Sequence, residues 1–175
     1  MVKTSKKQIE LDEKKVIERL QMNCMENLDL FAKNCGFSRQ KVWRIIKNLE
    51  NENIVWGYTA VVDPSFVKKK RYMLLMKRNA QRINQRIVDI LLSREFEDVV
   101  SQLGISIETS SYVHGEYDWI ATFVAPDIIH AKKFSELVKT TYPDTFQKID
   151  LVETLFDIKR QNIFNPNATK FKEMI

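Results

Sequence analysis

The sequence of 175 residues has little glycine, proline, cysteine or histidine: four, four, two and two residues. So few glycines and prolines exclude a collagen-like or low-complexity chain. No apolar run approaches the roughly 18 residues that a membrane-spanning helix needs. The charged start MVKTSKKQIELDEKK lacks the apolar centre of a signal peptide. These absences predict a cytoplasmic protein of ordinary globular composition, with no membrane among its partners.

The few cysteines and histidines do not form a metal-binding pattern. Cys24 and Cys35 are expected to be small buried apolar side chains, without a disulfide. His114 and His130 have no cysteine or carboxylate near them at zinc spacing. The chain also has no Ser/His/Asp set, no phosphate-binding glycine loop and no suitably spaced carboxylate pair. We therefore predict no metal, no cofactor and no catalytic residue, and so not an enzyme.

The net charge of +5 is distributed unevenly along the chain. Residues 1–63 have a net charge of +2, and residues 64–88 contain eight basic side chains and no acidic one. Residues 89–175 have a net charge of −5. A basic front half and an acidic back half predict that the front half meets a polyanion.

Three amphipathic helices are predicted at the start, over residues 11–23, 27–37 and 38–53. Asp12 and Glu13 would lie in the first turn of the first helix, where they suit the positive end of its dipole. Asn27 and Ser38 are N-cap candidates, and Gly36 and Asn53 can adopt the left-handed backbone that ends a helix. The apolar stripe of the third helix comprises Val42, Ile45, Ile46 and Leu49.

The second and third helices, joined by a tight glycine-containing turn, predict a helix-turn-helix. In that motif the second helix enters the DNA major groove, and its N-terminal residues meet base edges. The predicted DNA-binding residues are Ser38, Arg39, Gln40, Lys41, Trp43, Arg44 and Lys47. Two alternatives stay open: a merely solvated basic face, and packing of Trp43 on the first helix or on the wing.

Residues 54–64 predict two short strands that turn near Gly57, forming a small wing. From residue 72 the predicted order is strand (72–76), helix (84–103), hairpin (105–126, turning around Gly115), helix (127–141) and strand (148–160). This is the split βαββαβ order of ferredoxin-like domains. The fold class is therefore α+β. The predicted domains are a winged helix-turn-helix (1–63), a basic linker (64–71), a ferredoxin-like domain (72–160) and a C-terminal tail (161–175).

Four segments in this order resemble the Lrp/AsnC (feast-famine) transcription regulators. They are LDEKKVIERLQMN, SRQKVWRIIKNLE, NIVWGYTAVVDP and VHGEYDWIATFVAPD, and the resemblance covers roughly residues 9–160. It implies a sequence-specific regulator that binds double-stranded DNA, dimerises through its C-terminal sheets and assembles further into octamers. It also implies an effector such as an amino acid, bound near the hairpin motif Gly115, Glu116, Tyr117 and Asp118.

Structural explanations for the hairpin motif remain open beside the ligand hypothesis. A turn favours glycine at position 115 for a positive φ, and Asp118 can bond the turn backbone. The chain also departs from the family: Asn53 replaces a glycine, Ile45 stands where a basic residue is common, and residues 93–111 form a longer stretch. The basic run 68–86 is either a second phosphate-contacting surface or a solvated strand edge that blocks sheet pairing.

Two other functions remain as alternatives. One is an enzyme like the siroheme decarboxylases of tetrapyrrole biosynthesis, which share the two-domain layout. The other is an effector-binding assembly protein without DNA binding, against which the basic face of the third helix argues.

Overall fold

A computed structural model describes residues 5–80 and 85–175 of the chain. The described residues form two compact units. The first contains the N-terminal residues up to Val61 together with Ile158–Ile175, and the second contains Val62–Asp157. Residues 161–175, predicted as a separate tail, thus belong to the first unit, together with residues 158–160, which were predicted as the end of the last strand.

The elements follow the chain in this order: α1 (Lys6–Met22), α2 (Leu28–Cys35), α3 (Arg39–Asn51), a 3-10 helix (Pro64–Val67), β1 (Lys70–Arg78), α4 (Gln85–Leu92), α5 (Glu95–Gln102), β2 (Ser106–Tyr112), β3 (Trp119–Ala125), α6 (Ile128–Thr141), β4 (Phe146–Glu153), β5 (Lys159–Arg160), β6 (Ile163–Phe164) and a 3-10 helix (Ala168–Glu173).

Local capping sets the limits of the first three helices. The side chains of Asn27 and Ser38 accept hydrogen bonds from backbone N–H groups two and three residues ahead, as predicted. Gly36 ends α2 in the left-handed conformation, with φ +69°. The core between the helices comprises Val16, Phe31, Ala32, Cys35, Val42, Ile45 and Leu49. Because Ile45 is buried in this core, a basic residue at that position of this chain would lose its contact with water.

Two helix predictions need correction or comment. α1 begins at Lys6, capped by Ser5, and its first turn contains no acidic residue. Asp12 therefore lies in the middle of α1, away from the positive end of the helix dipole, and the dipole role is wrong.

Asn53 has φ +56°, which confirms that it adopts the left-handed backbone after α3. A position with this φ favours glycine, and asparagine is one of the few residues that tolerate it.

The two wing strands predicted within residues 54–64 do not form. The segment is extended up to the 3-10 helix at Pro64, and Gly57 does not adopt a positive φ. A strand requires a paired neighbour, and the only strand pair of the first unit, within the described residues, joins β5 to β6. The extended segment is instead tied to α3, since Tyr58 Oη donates to Glu50 Oε1 at 3.0 Å.

The second unit contains a four-stranded antiparallel sheet in the order β2-β3-β1-β4. In the chain, α4 and α5 connect β1 to β2, and α6 connects β3 to β4. This confirms the ferredoxin-like βαββαβ prediction. Along β1, Tyr72, Leu74 and Met76 are buried, and they join Phe123 and Phe134 in one core. The residues between them lie on the opposite face of the sheet.

The second unit also departs from the predicted element limits. The helix predicted over 84–103 is two helices, α4 and α5, which meet at Ser93; Asn84 lies outside the described residues. Ser93 Oγ bonds the carbonyl of Ile90, and α5 begins with three acidic residues in its first turn. β4 ends at Glu153, and a separate hairpin follows it. The longer stretch 93–111 is thus occupied by α5 and most of β2.

The strand-edge account of the basic run 68–86 is wrong for its central part. β1 is an inner strand, paired with β3 on one side and β4 on the other. Its cations meet acidic groups of the same unit: Lys70 pairs with Glu153, Arg71 with Glu108 and Asp157, and Lys77 with Glu116. Arg82 lies outside the described residues.

Candidate nucleic-acid interface and ligand loop

The N-terminal half of α3 presents polar and aromatic side chains to solvent. Arg39, Gln40, Trp43 and Arg44 are exposed, whereas Val42 and Ile45 between them are buried. Trp43 is 56% exposed, which disfavours the packing account of this residue. Six of the seven residues predicted from sequence line one open depression of about 740 Å³, together with Leu28: Ser38, Arg39, Gln40, Lys41, Trp43 and Arg44.

Lys41 differs from its neighbours because its ammonium group is engaged inside the unit. Lys41 Nζ lies 2.5 Å from Asp12 Oδ2 and 4.0 Å from the centre of the Phe37 ring. Gln8 Nε2 donates to the other carboxylate oxygen at 3.0 Å. These hydrogen bonds, that of Lys41 first, hold the pKa of the buried Asp12 below its usual value, against the opposing effect of burial. Asp12 thereby joins α1 to the start of α3.

The remaining cations of α3 differ in how firmly they are paired. Lys47 Nζ lies 2.6 Å from Glu50 Oε2, and this contact together with Tyr58 lowers the pKa of Glu50. Arg39 is 3.6 Å from Asp29, with both side chains largely in water, so this pair is weak. Within the described residues Arg44 has no ion pair. Arg44 is therefore the cation of α3 that gives up the least on meeting DNA.

The net charge of the chain is concentrated in the first unit. Residues 1–61 and 158–175 contain 15 basic and 9 acidic side chains, a net of +6, and residues 62–157 contain 13 and 14, a net of −1. The structural division is less sharp than the division by sequence halves, because the eight basic residues of 64–88 belong to the second unit, and the basic tail restores only part of the difference. A polyanion would be drawn to this unit.

The loop between β2 and β3 carries the predicted effector motif. Gly115 is exposed, has no positive φ, and has open space where a Cβ would stand. The turn geometry therefore does not require glycine there, and the positive-φ account of Gly115 is wrong. Asp118 Oδ2 accepts a hydrogen bond from the backbone N–H of Arg78 at 2.9 Å. Asp118 thus ties the loop to the end of β1 rather than bonding the turn backbone.

Tyr117 and Glu116 are each joined to charged residues of neighbouring strands. Tyr117 Oη donates to Asp150 Oδ2 at 2.6 Å, and Lys148 Nζ lies 2.8 Å from the same oxygen. Lys148, and then Tyr117, hold the pKa of Asp150 below its usual value. Glu116 is 3.2 Å from Lys77. Two ion pairs, Lys77–Glu116 and Lys148–Asp150, thus lie beside the loop.

Sequence reasoning missed Lys77, Lys148 and Asp150. Lys77 and Lys148 are directly opposite each other in the β1–β4 pairing, and this neighbourhood depends on the fold, so neither segment indicates it by itself. Among the residues that the structure describes, no group of three or more His, Cys, Asp or Glu side chains is arranged to hold a metal ion. None of the described helices combines the length and the apolarity needed to cross a membrane.

Solved structures of several transcription regulators are similar in fold to this chain. An AsnC family regulator from Agrobacterium tumefaciens is 20% identical, with a TM-score of 0.62 over 89% of this chain and 96% of that one. A transcriptional regulator from Neisseria meningitidis, solved with L-methionine, is 18% identical, with a TM-score of 0.61 over 90% and 94%. A feast or famine regulatory protein from M. tuberculosis, also with L-methionine, is 14% identical, with a TM-score of 0.64 over 90% and 99%.

These likenesses confirm the predicted fold: the chain has the fold of the Lrp/AsnC, or feast-famine, regulators. Models of known protein families and curated protein sequences give no match to this sequence. In each of the three comparisons the other chain is covered almost completely, whereas about a tenth of this chain has no counterpart.

Proposed function

We propose that the protein is a sequence-specific regulator of transcription that binds double-stranded DNA through α3. The observation that carries the proposal is the exposed row of Arg39, Gln40, Trp43 and Arg44 at the start of α3, on a unit of net charge +6. The first residues of a recognition helix are those that meet base edges. The alternative, a basic face that only meets water, does not explain why Trp43, a large apolar side chain, is half-exposed among the cations.

The side chains of this row suit direct readout. Arginine pairs with the two acceptors of guanine, and glutamine pairs with adenine. Trp43 offers an apolar surface to a thymine methyl group or a sugar. Ser38 caps the helix by accepting the N–H of Lys41, and the other backbone N–H groups of the first turn would be available to a phosphate. Lys47, paired with Glu50, contributes less.

Binding should weaken steeply with salt. Each phosphate neutralised by a cation contributes about −0.9 to the slope of log affinity against log salt concentration. We expect a slope of about −3 or steeper for a duplex obtained by in vitro selection from a random library, measured by fluorescence anisotropy. A flat salt dependence, or failure of selection to enrich any sequence, would argue against DNA binding.

The proposed regulator acts as a homodimer. The sheet face opposite α4–α6 carries Met73, Leu75, Ile120 and Val124, all only half-buried, and Val152, which is exposed. An apolar face of this kind is normally covered, and a second copy would cover it isologously. A dimer also doubles the number of base pairs that one helix-turn-helix reads. The octamers that the resemblance implies would be built from such dimers.

Charge on this face should therefore break the dimer. We expect the parent protein to be at least a dimer in light scattering at micromolar concentration, and Leu75→Lys to be largely monomeric. A lysine there would be buried without a partner at the interface. Gln102→Lys, which adds the same charge at an exposed position of α5 on the other side of the sheet, should remain dimeric. A monomeric parent would contradict the proposal.

We also propose that the loop Gly115–Asp118 binds an amino-acid effector. Lys77 and Lys148 are suited to an α-carboxylate, and Glu116 and Asp150 to an α-ammonium group. Gly115 leaves open space for the ligand to approach the backbone. L-methionine in the Neisseria and M. tuberculosis structures supports an amino acid as the class of ligand.

Loss of Asp118 should disconnect the effector from DNA binding. Asp118→Ala removes the side-chain hydrogen bond from Arg78 N–H of β1, keeps the backbone bond from Asp118 N–H to Met76, and leaves α3 unchanged. We expect operator affinity without ligand to stay within about threefold, and the shift caused by L-methionine or another amino acid found by thermal-shift screening to be lost. Glu136→Ala, which removes an exposed carboxylate of α6, is the control. An unchanged response in Asp118→Ala would leave this residue no part in the coupling.

A further inference from the structure

The C-terminal 18 residues are part of the unit that contains the recognition helix. β5 and β6 form a hairpin, and Gln161 and Ile163 line a depression of about 520 Å³ together with Trp56 and Tyr58. Tyr58 is hydrogen-bonded to Glu50 of α3. The hairpin thus lies against the segment that follows α3, where the sequence predicts a wing and where the chain forms no strand of its own.

The hairpin is a defined element and not a frayed end. Gln161 and Asn162 have φ +45° and +65°, so both central residues of its two-residue turn have the positive φ of a type I′ turn. Arg160 pairs with Ile163, and Asn165 N donates to the carbonyl of Ile158 at 2.9 Å. A non-glycine residue at position 161 carries backbone strain, which persists only where the surroundings fix it.

Three exposed lysines of this tail have no carboxylate partner within the described residues. The segment 158–175 contains four basic residues and one acidic residue. Lys159, Lys170 and Lys172 are exposed, and in the described part of the chain they form no ion pair. In this they resemble Arg44 of α3, whereas Arg19, Arg39, Lys41 and Lys47 of the same unit have carboxylate partners. An unpaired cation loses no existing contact when it meets a phosphate.

We infer that the hairpin and the 3-10 helix that follows it act as the wing of this DNA-binding unit and contact phosphates beside the site read by α3. The inference rests on the proposed function and extends it to a second element from the far end of the chain. Lys159, Lys170 and Lys172 would make the contacts. Because phosphates carry no sequence information, this wing would strengthen binding to all sequences alike.

The test compares two triple variants of the full chain with equal changes of charge. The first is Lys159→Gln/Lys170→Gln/Lys172→Gln. The control is Lys132→Gln/Lys133→Gln/Lys139→Gln, which removes three exposed lysines of α6 in the second unit. Anisotropy is measured over a range of salt concentrations, with the selected duplex and with a random duplex of the same length. Far-UV circular dichroism confirms that both variants are folded.

We expect the tail variant to make the salt slope shallower by about 2 to 3, since each lost phosphate contact removes about 0.9. Affinity for the selected and the random duplex should fall by the same factor, and the control should match the parent. A tail variant that behaves like the control overturns the inference while leaving the proposed function intact. A tail variant that changes only the oligomeric state also overturns it, because the tail would then contact a second copy. If the parent protein binds neither duplex, the proposed function fails and the wing with it.

Discussion

Replacing Arg44 by alanine should lower the affinity for the selected DNA duplex by about 10- to 100-fold, the range expected for loss of one bidentate base contact. Arg44 is exposed on α3 between two buried residues, and it has no ion pair among the described residues. Its side chain therefore has neither a core contact nor a carboxylate to lose. The melting temperature should stay close to that of the parent, because surface changes of this kind have small effects on stability.

Comparing the affinities for the selected and the random duplex separates a base-specific contact of Arg44 from general electrostatic attraction to phosphates. If Arg44 bonds a guanine, affinity for a random duplex should fall much less than affinity for the selected one, and the preference at one base position should relax. Arg86→Ala removes an exposed arginine of α4 in the second unit and is the matched control. Equal affinities of the Arg44→Ala and Arg86→Ala variants would show that α3 does not enter the groove.

The parts of this fold that the sequence predicted correctly are those set by local chemistry. Ser38 and Asn27 cap helices because a short polar side chain reaches the N–H groups of the next turn. Gly36 and Asn53 end helices because they tolerate a positive φ. The strand predicted over 72–76 and the hairpin predicted over 105–126 form as β1, β2 and β3, and the side chains of β1 and β3 alternate between two largely apolar faces of the sheet. These signals lie within a few residues of the feature they predict.

The parts that were wrong or missed depend on residues far apart in the chain. The wing strands failed because no partner strand lies beside residues 54–64, which periodicity alone does not reveal. The β5–β6 hairpin was missed because its strands have two residues each and its turn, Gln161–Asn162, lacks the usual glycine. Of the candidate DNA-binding residues, Lys41 is the one whose surroundings the sequence did not indicate, since its partner Asp12 belongs to another helix.

That pair supports the second prediction. Replacing Asp12 by asparagine should destabilise the first unit by about 1–3 kcal/mol, the usual cost of removing one member of a charged hydrogen-bonded pair that is largely buried. The lower part of this range is expected because Lys41 keeps about a third of its side chain exposed and is partly screened by water. The second unit should be unaffected. Hydrogen exchange followed by mass spectrometry measures both units at once, through the amides of α1–α3 and of β1–β4.

The effect should depend on pH in a definite direction. Because the pKa of Asp12 is lower in the folded state than its usual 3.8, the pair contributes its full stability above that usual value. The contribution is lost as the pH falls through the lowered folded-state pKa. Parent and Asp12→Asn should therefore differ most at neutral pH and converge in acid. Asp29→Asn, which removes an exposed carboxylate 3.6 Å from Arg39, should match the parent at every pH. Equal exchange rates in Asp12→Asn and the parent at pH 7 would show that Asp12 does not hold α1 against α3.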